Sequence, residues 1–385
     1  MAERQGPLAD LRVVELAGIG ATPFGAMLLA DLGADVIRID RQPAGDVNPL
    51  SEVLRRGRRS VALDLKHEAA VAVALRLVER ADALIEGFRP GVMERLGLGP
   101  DVCLARNERL VYGRMTGWGQ DGPLAQQAGH DIDYIAVSGA LGAIGRRGEL
   151  SVPPLNLVGD FGGGGLLLAF GIVSAVLEAR WSGRGQVVDA AMVDGSALLL
   201  TMVYEARNLG LWSLERGTNL LDGGAPFYAV YATSDGGAMA VGCLEPAFYA
   251  ELLRVLELNR PVLRDHTDPD RWPDIRAALT EAFASRTRAE WEAAFSGSDA
   301  CVAPVLDLDE ARSHPHGRAR QAFYESDAGP VPMPAPRFDR TPAAIPGPPS
   351  RVGADTRTAL ADWGFAAEEI EALCDEGVAY AAAGD

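Results

Sequence analysis

Three side chains in this sequence stand in settings suited to moving protons. His130 lies in "QQAGHDIDYIAVSG" (126–139), between Gly129 and Asp131, and is one of five histidines in 385 residues. Asp160 closes "PPLNLVGD" and is followed by Phe161 and four glycines. Glu245 sits in "VGCLEPAFY" (241–249), just before Pro246. A proton beside a carbonyl is weakly acidic, so removing it requires a base together with stabilisation of the enolate oxygen. Two bases on opposite sides of that carbon invert it, because one takes the proton and the other delivers one. No metal or redox cofactor is needed. A histidine and an aspartate can form such a pair if their surroundings bring their pKa values towards neutrality.

The local sequence offers supporting features. Glycines ahead of a helix let another group approach the backbone, and the free N–H groups of a helix start favour negative charge. Glu245, at an expected helix start, could orient the imidazole through a hydrogen bond. The same residues also admit plainer roles. A lone histidine is often structural or merely exposed, as His67, His266, His314 and His316 are expected to be, and Asp160 and Glu245 could each only cap a helix. Residue chemistry leaves both readings open.

Basic residues gather where a phosphorylated ligand could use them. Arg41 follows one expected strand, "RRGRR" (55–59) precedes the next, and Lys66 follows that one. Arg89 and Arg95 come after a fourth, with the loop of Arg89 fixed by the adjacent Pro90 and Gly91. Arginine offers phosphate two parallel hydrogen bonds. A run such as "RRGRR" is otherwise a solvated surface.

The elements that must position these groups alternate in period. "LRVVELA" (11–17), "DVIRID" (35–40), "SVALDL" (60–65), "DALIEGF" (82–88) and "LVYGRMTG" (110–117) read as short buried strands. Between them, "TPFGAMLLADLGA" predicts a helix with Thr22 as N-cap and Pro23 at its first position, and 67–81 predicts a second. This alternation predicts a parallel sheet covered on both faces, whose carboxyl edge receives the ligand. A long apolar helix is expected from near Gly164 to near Gly183, then a strand at 185–193 and a helix at 195–212. A hairpin turned at Ser234–Gly237 and helices at 246–258, 272–285 and 287–296 mark a second domain at 222–325. The proline-rich 330–349 should run extended and return to the first domain, before two short helices.

"ELAGIGATPFG", with Asp40 beyond it, mimics a dinucleotide fingerprint, but Pro23 occupies the place of the third glycine, so a tight turn into a helix is the preferred reading. A net charge of −17 argues against nucleic acid or an anionic membrane as partner, while leaving room for a local basic patch. Four scattered cysteines without CxxC spacing point to reduced thiols in the cytoplasm. No signal peptide is expected, nor any uninterrupted apolar stretch of membrane-spanning length.

Taken in order, "LRVVELAGIG", "LLADLGADVIRID", "EGFRPGVMERLGLGP", "RMTGWGQDGP", "AGHDIDYIA", "NLVGDFGGGG", "GQVVDAAMVDG", "GAPFYAVY" and "MPAPRF" run through nearly the whole chain. In these motifs the sequence resembles the family III CoA-transferase superfamily, and within it the α-methylacyl-CoA racemase branch. The resemblance implies an α/β fold: a Rossmann-like large domain with a parallel sheet (1–221), a smaller α+β domain (222–325), and a return that packs on the large domain (326–385). It also implies an interlocked homodimer. His130 and Asp160 would be the α-proton acid/base pair, with Glu245 assisting from the partner subunit. Arg41, Leu63, Asp64, Leu65, Lys66, Gly87, Phe88, Arg89, Arg95, Gly129, Asp131, Ile132, Asp133 and Tyr134 would contact CoA. CoA is then part of the substrate and no separate cofactor is implied. The sister activity, CoA transfer between carboxylic acids with Asp160 as nucleophile, is the alternative.

Overall fold

The computed structural model describes residues 5–41 and 53–382. These divide into two compact units, one of the described residues up to 140 with 155–200 and those from 321 onward, the other of residues 141–154 and 201–320. The sequence placed its candidate second domain at 222–325.

In the first unit, six strands lie parallel: β1 (Arg12–Leu16), β2 (Asp35–Asp40), β3 (Arg59–Leu63), β4 (Ala83–Glu86), β5 (Val111–Thr116) and β6 (Gln186–Ala191). A seventh, β7 (Ala379–Tyr380), pairs antiparallel with β3 and gives the order β7-β3-β2-β1-β4-β5-β6. The five strands read from the first 120 residues are all present. Their apolar runs are explained by burial on both faces: Val14 and Leu16 enter one core, Leu11 and Val13 the other.

Helices α1 (Ala21–Asp31), α2 (Glu68–Val78), α3 (Val92–Arg95), α4 (Pro100–Arg106), α5 (Asp131–Val137), α6 (Leu167–Ser182), α7 (Met192–Leu199), α8 (Thr356–Asp362) and α9 (Ala367–Asp375) surround the sheet. α2 turns Ala70, Val73, Ala74, Leu77 and Val78 inward at helical spacing, joined on that face by α8 and α9. The opposite face is covered by α1 and α6. Each fully buried Val, Leu or Ile contributes about 1.5–3 kcal/mol of hydrophobic stabilisation. The C-terminal return is also hydrogen-bonded in place: Ser60 N–H donates to Asp355 Oδ2 at 2.8 Å, and Ala62 N–H to Thr356 Oγ1 at 3.2 Å.

Three local expectations need correction. Thr22 is not an N-cap, since α1 begins at Ala21 with Gly20 as cap, and Thr22 lies buried inside the first turn. Pro23 is tolerated there because first-turn N–H groups have no intrahelical acceptor. The helix expected from Gly164 begins at Leu157 as a ten-residue π-helix and becomes α6 at Leu167. Its glycines serve packing: a Cβ on Gly163 would stand 2.6 Å from Ser196 N, and one on Gly165 2.5 Å from Ala21 O. The backbones of α1 and α7 therefore meet the π-helix almost directly. Finally, the helix expected over 195–212 is two helices, α7 and Thr201–Asn208.

Counted together, Leu157–Ser182 is long and apolar enough to cross a membrane, by length and composition. One side of α6 packs into the sheet core through Leu168, Ile172, Ala175 and Ala179. The other side leaves Phe170, Val173, Leu177 and Trp181 exposed, in line with Leu166 at the end of the π-helix.

The second unit holds an antiparallel sheet of Tyr228–Ala232, Ala238–Gly242 and Val302–Pro304. Its hairpin closes where Thr233 N–H donates to Gly237 O at 3.0 Å. Helices Pro246–Val255, Trp272–Phe283 and Arg288–Phe295 complete its core around Phe283 and Trp291.

Candidate active site

Parallel strands send all their carboxyl ends to one edge, and there the first unit opens a cavity of about 650 Å³. His130 and Asp160 both line it, with Gly87, Phe88, Arg89, Gly129 and Tyr134. Thus seven of the residues singled out in the sequence line one cavity.

His130 is the residue before α5, in extended conformation, and its side chain is exposed. Its N–H donates to Asp133 Oδ2 at 2.9 Å, so Asp133 fixes the loop-to-helix turn. Tyr134 fills the space beside Gly117 and Gly129, donates its hydroxyl to Gly129 O, and meets Trp118 edge-on at 4.8 Å. Burial raises the Tyr134 hydroxyl to about 12, which keeps it a neutral donor.

Asp160 lies within the π-helix and caps nothing. Its N–H donates to Asp131 Oδ1 at 2.6 Å, and its Oδ2 accepts Asn156 Nδ2 at 3.2 Å. Burial raises its pKa above the usual aspartate range. The Asn156 hydrogen bond opposes the rise, Asp131 adds to it, and His130 opposes it. That direction suits a carboxyl that must both accept and return a proton near neutrality. Gly20, which the sequence offered as part of a nucleotide fingerprint, has another task. Its φ is 64°, and a Cβ there would stand 3.1 Å from Asp160 Oδ2. A side chain at this position would press on the acid.

Other expected contacts lie off this cavity wall. Arg41 is exposed directly after β2, and Lys66 is exposed after β3. Leu63 is wholly buried in the core, which leaves its backbone, and Leu65 packs partly against the same core. Asp64 Oδ1 accepts Lys66 N–H at 3.1 Å. Arg95 ends α3 and is exposed, as is Ile132 on α5. Asp131 is buried with its carboxylate turned to Asp160, not to solvent. Glu245 belongs to the second unit. It occupies the N-cap position of the helix Pro246–Val255, but its exposed side chain makes no cap hydrogen bond, so capping does not account for it.

Three of the four arginines in the "RRGRR" run are taken up by ion pairs within the first unit. Arg56 pairs with Asp31 at 2.6 Å, Arg58 with Glu15 at 2.6 Å, and Arg59 with Asp35 and Asp362, each at 2.7 Å.

Sequence reasoning missed Asn156 and the pair Glu86–Arg114. Glu86 Oε2 accepts Phe88 N–H at 2.7 Å and so shapes the loop that presents Arg89. A carboxylate ending the apolar strand "ALIE" and an arginine within "VYGRMT" were the available signal, since opposite charges in neighbouring buried strands must find each other. Among the described residues, no group of three or more His, Cys, Asp or Glu is arranged to hold a metal.

Residues 8–356 match the family described as CoA-transferase family III. The alpha-methylacyl-CoA racemase of Mus musculus is 48% identical over 94% of this chain and 95% of its own length. That of Homo sapiens is 46% identical over 95% and 96%. Among solved structures, a CAIB/BAIF family protein from Brucella suis is similar in fold, with TM-score 0.80 at 24% identity, covering 94% of this chain and 100% of its own. A hypothetical protein from Mycobacterium tuberculosis has TM-score 0.75 at 27% identity, covering 92% and 99%.

Proposed function

The chain belongs to CoA-transferase family III, and from that premise we propose that it interconverts (R)- and (S)-2-methylacyl-CoA thioesters, the activity of an α-methylacyl-CoA racemase. The observation that carries the reading is the common cavity lined by His130 and Asp160, with the pKa of the Asp160 carboxyl raised by burial. A thioester carbonyl acidifies the α-proton more than an ester or carboxylate would. One of the two groups removes that proton and the other delivers one to the opposite face, through an enolate. First-turn N–H groups of α1, whose Ala21 and Thr22 line the same cavity, suit the developing oxyanion.

CoA lies along the carboxyl edge of a Rossmann-like domain. Arg41, the backbone of Leu63–Lys66, Gly87–Arg89, Arg95 and Gly129–Tyr134 receive it, and a net charge of −17 is no obstacle to so local a patch. The acyl chain rests on Ile19, Met115, Trp118 and Met192. CoA is part of the substrate, and no further cofactor is required. The working form is an interlocked homodimer in the cytoplasm, serving lipid metabolism, in which Glu245 of the partner subunit steadies His130. The exposed stripe from Leu166 to Trp181 supports a second copy as its cover. Sedimentation at the mass of two chains is the expected result, and a fully active monomer would overturn the dimer.

The decisive measurement is deuterium uptake from heavy water at the α-carbon of a 2-methylacyl-CoA, without any acceptor acid. The native chain incorporates label and loses configuration. His130→Ala and Asp160→Asn each reduce both by about 10³-fold while CoA affinity is retained. CoA passing to an added acceptor acid, with no label at the α-carbon, would instead identify a CoA-transferase with Asp160 as nucleophile.

A further inference from the structure

The carboxyl end of the sheet carries a row of alternating charge for which acid/base chemistry has no direct use. Strand register sets Glu86 of β4 opposite Arg114 of β5, and Arg114 opposite Asp189 of β6. Arg114 Nε donates to Glu86 Oε1 at 2.9 Å, while Nη1 reaches Glu94 Oε1 of α3, also at 2.9 Å. Glu86 and Arg114 are buried. A buried ion pair is a poor source of stability compared with apolar residues of the same volume, so its use here calls for another return.

That return is visible in the carboxylates on either side of Arg114. Glu86 Oε2 accepts Phe88 N–H at 2.7 Å, and Asp189 Oδ2 accepts Gln120 N–H at 3.2 Å. The two loops held in this way, Gly87–Pro90 and Gly117–Gln120, supply Phe88, Arg89 and Trp118 to the cavity wall. The first is pinned from two further sides. The Thr22 side chain occupies the place a Cβ on Gly87 would need, and Gln126 Nε2 donates to Pro90 O at 3.2 Å.

We propose that Arg114 is a positioning residue: through Glu86 and Glu94 it holds the Gly87–Pro90 loop in the one conformation that receives the CoA portion of the substrate. A guanidinium is required because its planar fork serves two carboxylates at once, which an ammonium cannot do in the same geometry. The inference rests on the racemase reading for the identity of the ligand, but acts on binding, not on proton transfer.

The test uses the full chain, CoA itself as the binding probe, and a 2-methylacyl-CoA for turnover. The double variant Glu86→Leu/Arg114→Leu removes both charges, so neither is left orphaned in the core. Its Kd for CoA and its KM both rise by about tenfold or more, while kcat stays within about threefold. Amide exchange at Phe88 accelerates while core strands stay protected. Arg114→Lys, which keeps the charge and loses the fork, falls between the two. If the double variant does not fold, Glu94→Gln on the exposed limb supplies the reading, with Kd for CoA raised about threefold. An unchanged Kd in the folded variant, or a loss confined to kcat, would overturn the proposal. Weakened CoA binding in the variants, with no deuterium uptake even by the native chain, would remove the racemase reading and leave this inference standing.

Discussion

Two ion clusters, one buried throughout and one with an exposed limb, are built on the same sheet and do different things. The first joins Glu15 of β1, Arg38 and Asp40 of β2, and Arg58 beside β3. Arg58 meets Glu15 at 2.6 Å with both side chains wholly buried, and Arg38 meets Asp40 at 2.8 Å. Its spare valence runs to the C-terminal return: Ser60 Oγ donates to Asp40 Oδ2 at 2.5 Å and accepts Gly353 N–H at 2.9 Å. The second cluster, Glu86–Arg114–Glu94, spends its spare oxygen on a loop facing the cavity. The charges alone do not distinguish the two. What differs is the backbone each holds, and so one cluster bears on stability and the other on ligand affinity.

This contrast can be broken or sharpened. The largest effect is expected for Arg58→Met, which leaves Glu15 buried without its cation and should cost about 3–5 kcal/mol in urea unfolding. The folded fraction should bind CoA as before, and weakened binding there would erase the distinction. Gly87→Ala comes next. Its Cβ would overlap Thr22 Oγ1, with an expected cost of about 1–3 kcal/mol and a raised Kd for CoA. Thr22→Ala in the same chain should restore most of both. Failure to restore would mean that the loop is not held against Thr22.

The smallest effect concerns a carboxylate that, unlike those in either cluster, has no guanidinium partner among the described residues. Burial raises the pKa of Asp160, so the folded chain holds its proton at a pH where the unfolded chain has released it. Ionising Asp160 therefore weakens the fold. The penalty is absent below the ordinary aspartate value of 3.8 and complete above the raised one. Asp160→Asn should melt higher than the native chain at neutral pH, with the gap closing on acidification. A gap independent of pH would refute the sign. The acid limb of deuterium uptake should likewise lie above the ordinary carboxylate range.

Much of this arrangement is legible in the sequence because it is periodic or local. Strand β1 announces itself through Val13, Val14 and Leu16, and the loops of His130 and Asp160 through their glycines. What escapes depends on partners distant in sequence. Arg56, Arg58 and Arg59 look like one basic run, yet each meets a different acid, from Asp31 to Asp362. The four glycines after Phe161 suggest room for a ligand, whereas α1 and α7 use that room. Two-residue β7 is too short for any period to reveal, and it is placed by its pairing with β3.

The hydrogen bond from Asp160 N–H to Asp131 has one more consequence. Because Asp131 directly follows His130, the imidazole and the acid are mounted on a single brace. A displacement of α5 is therefore passed through this bond to the backbone of Asp160.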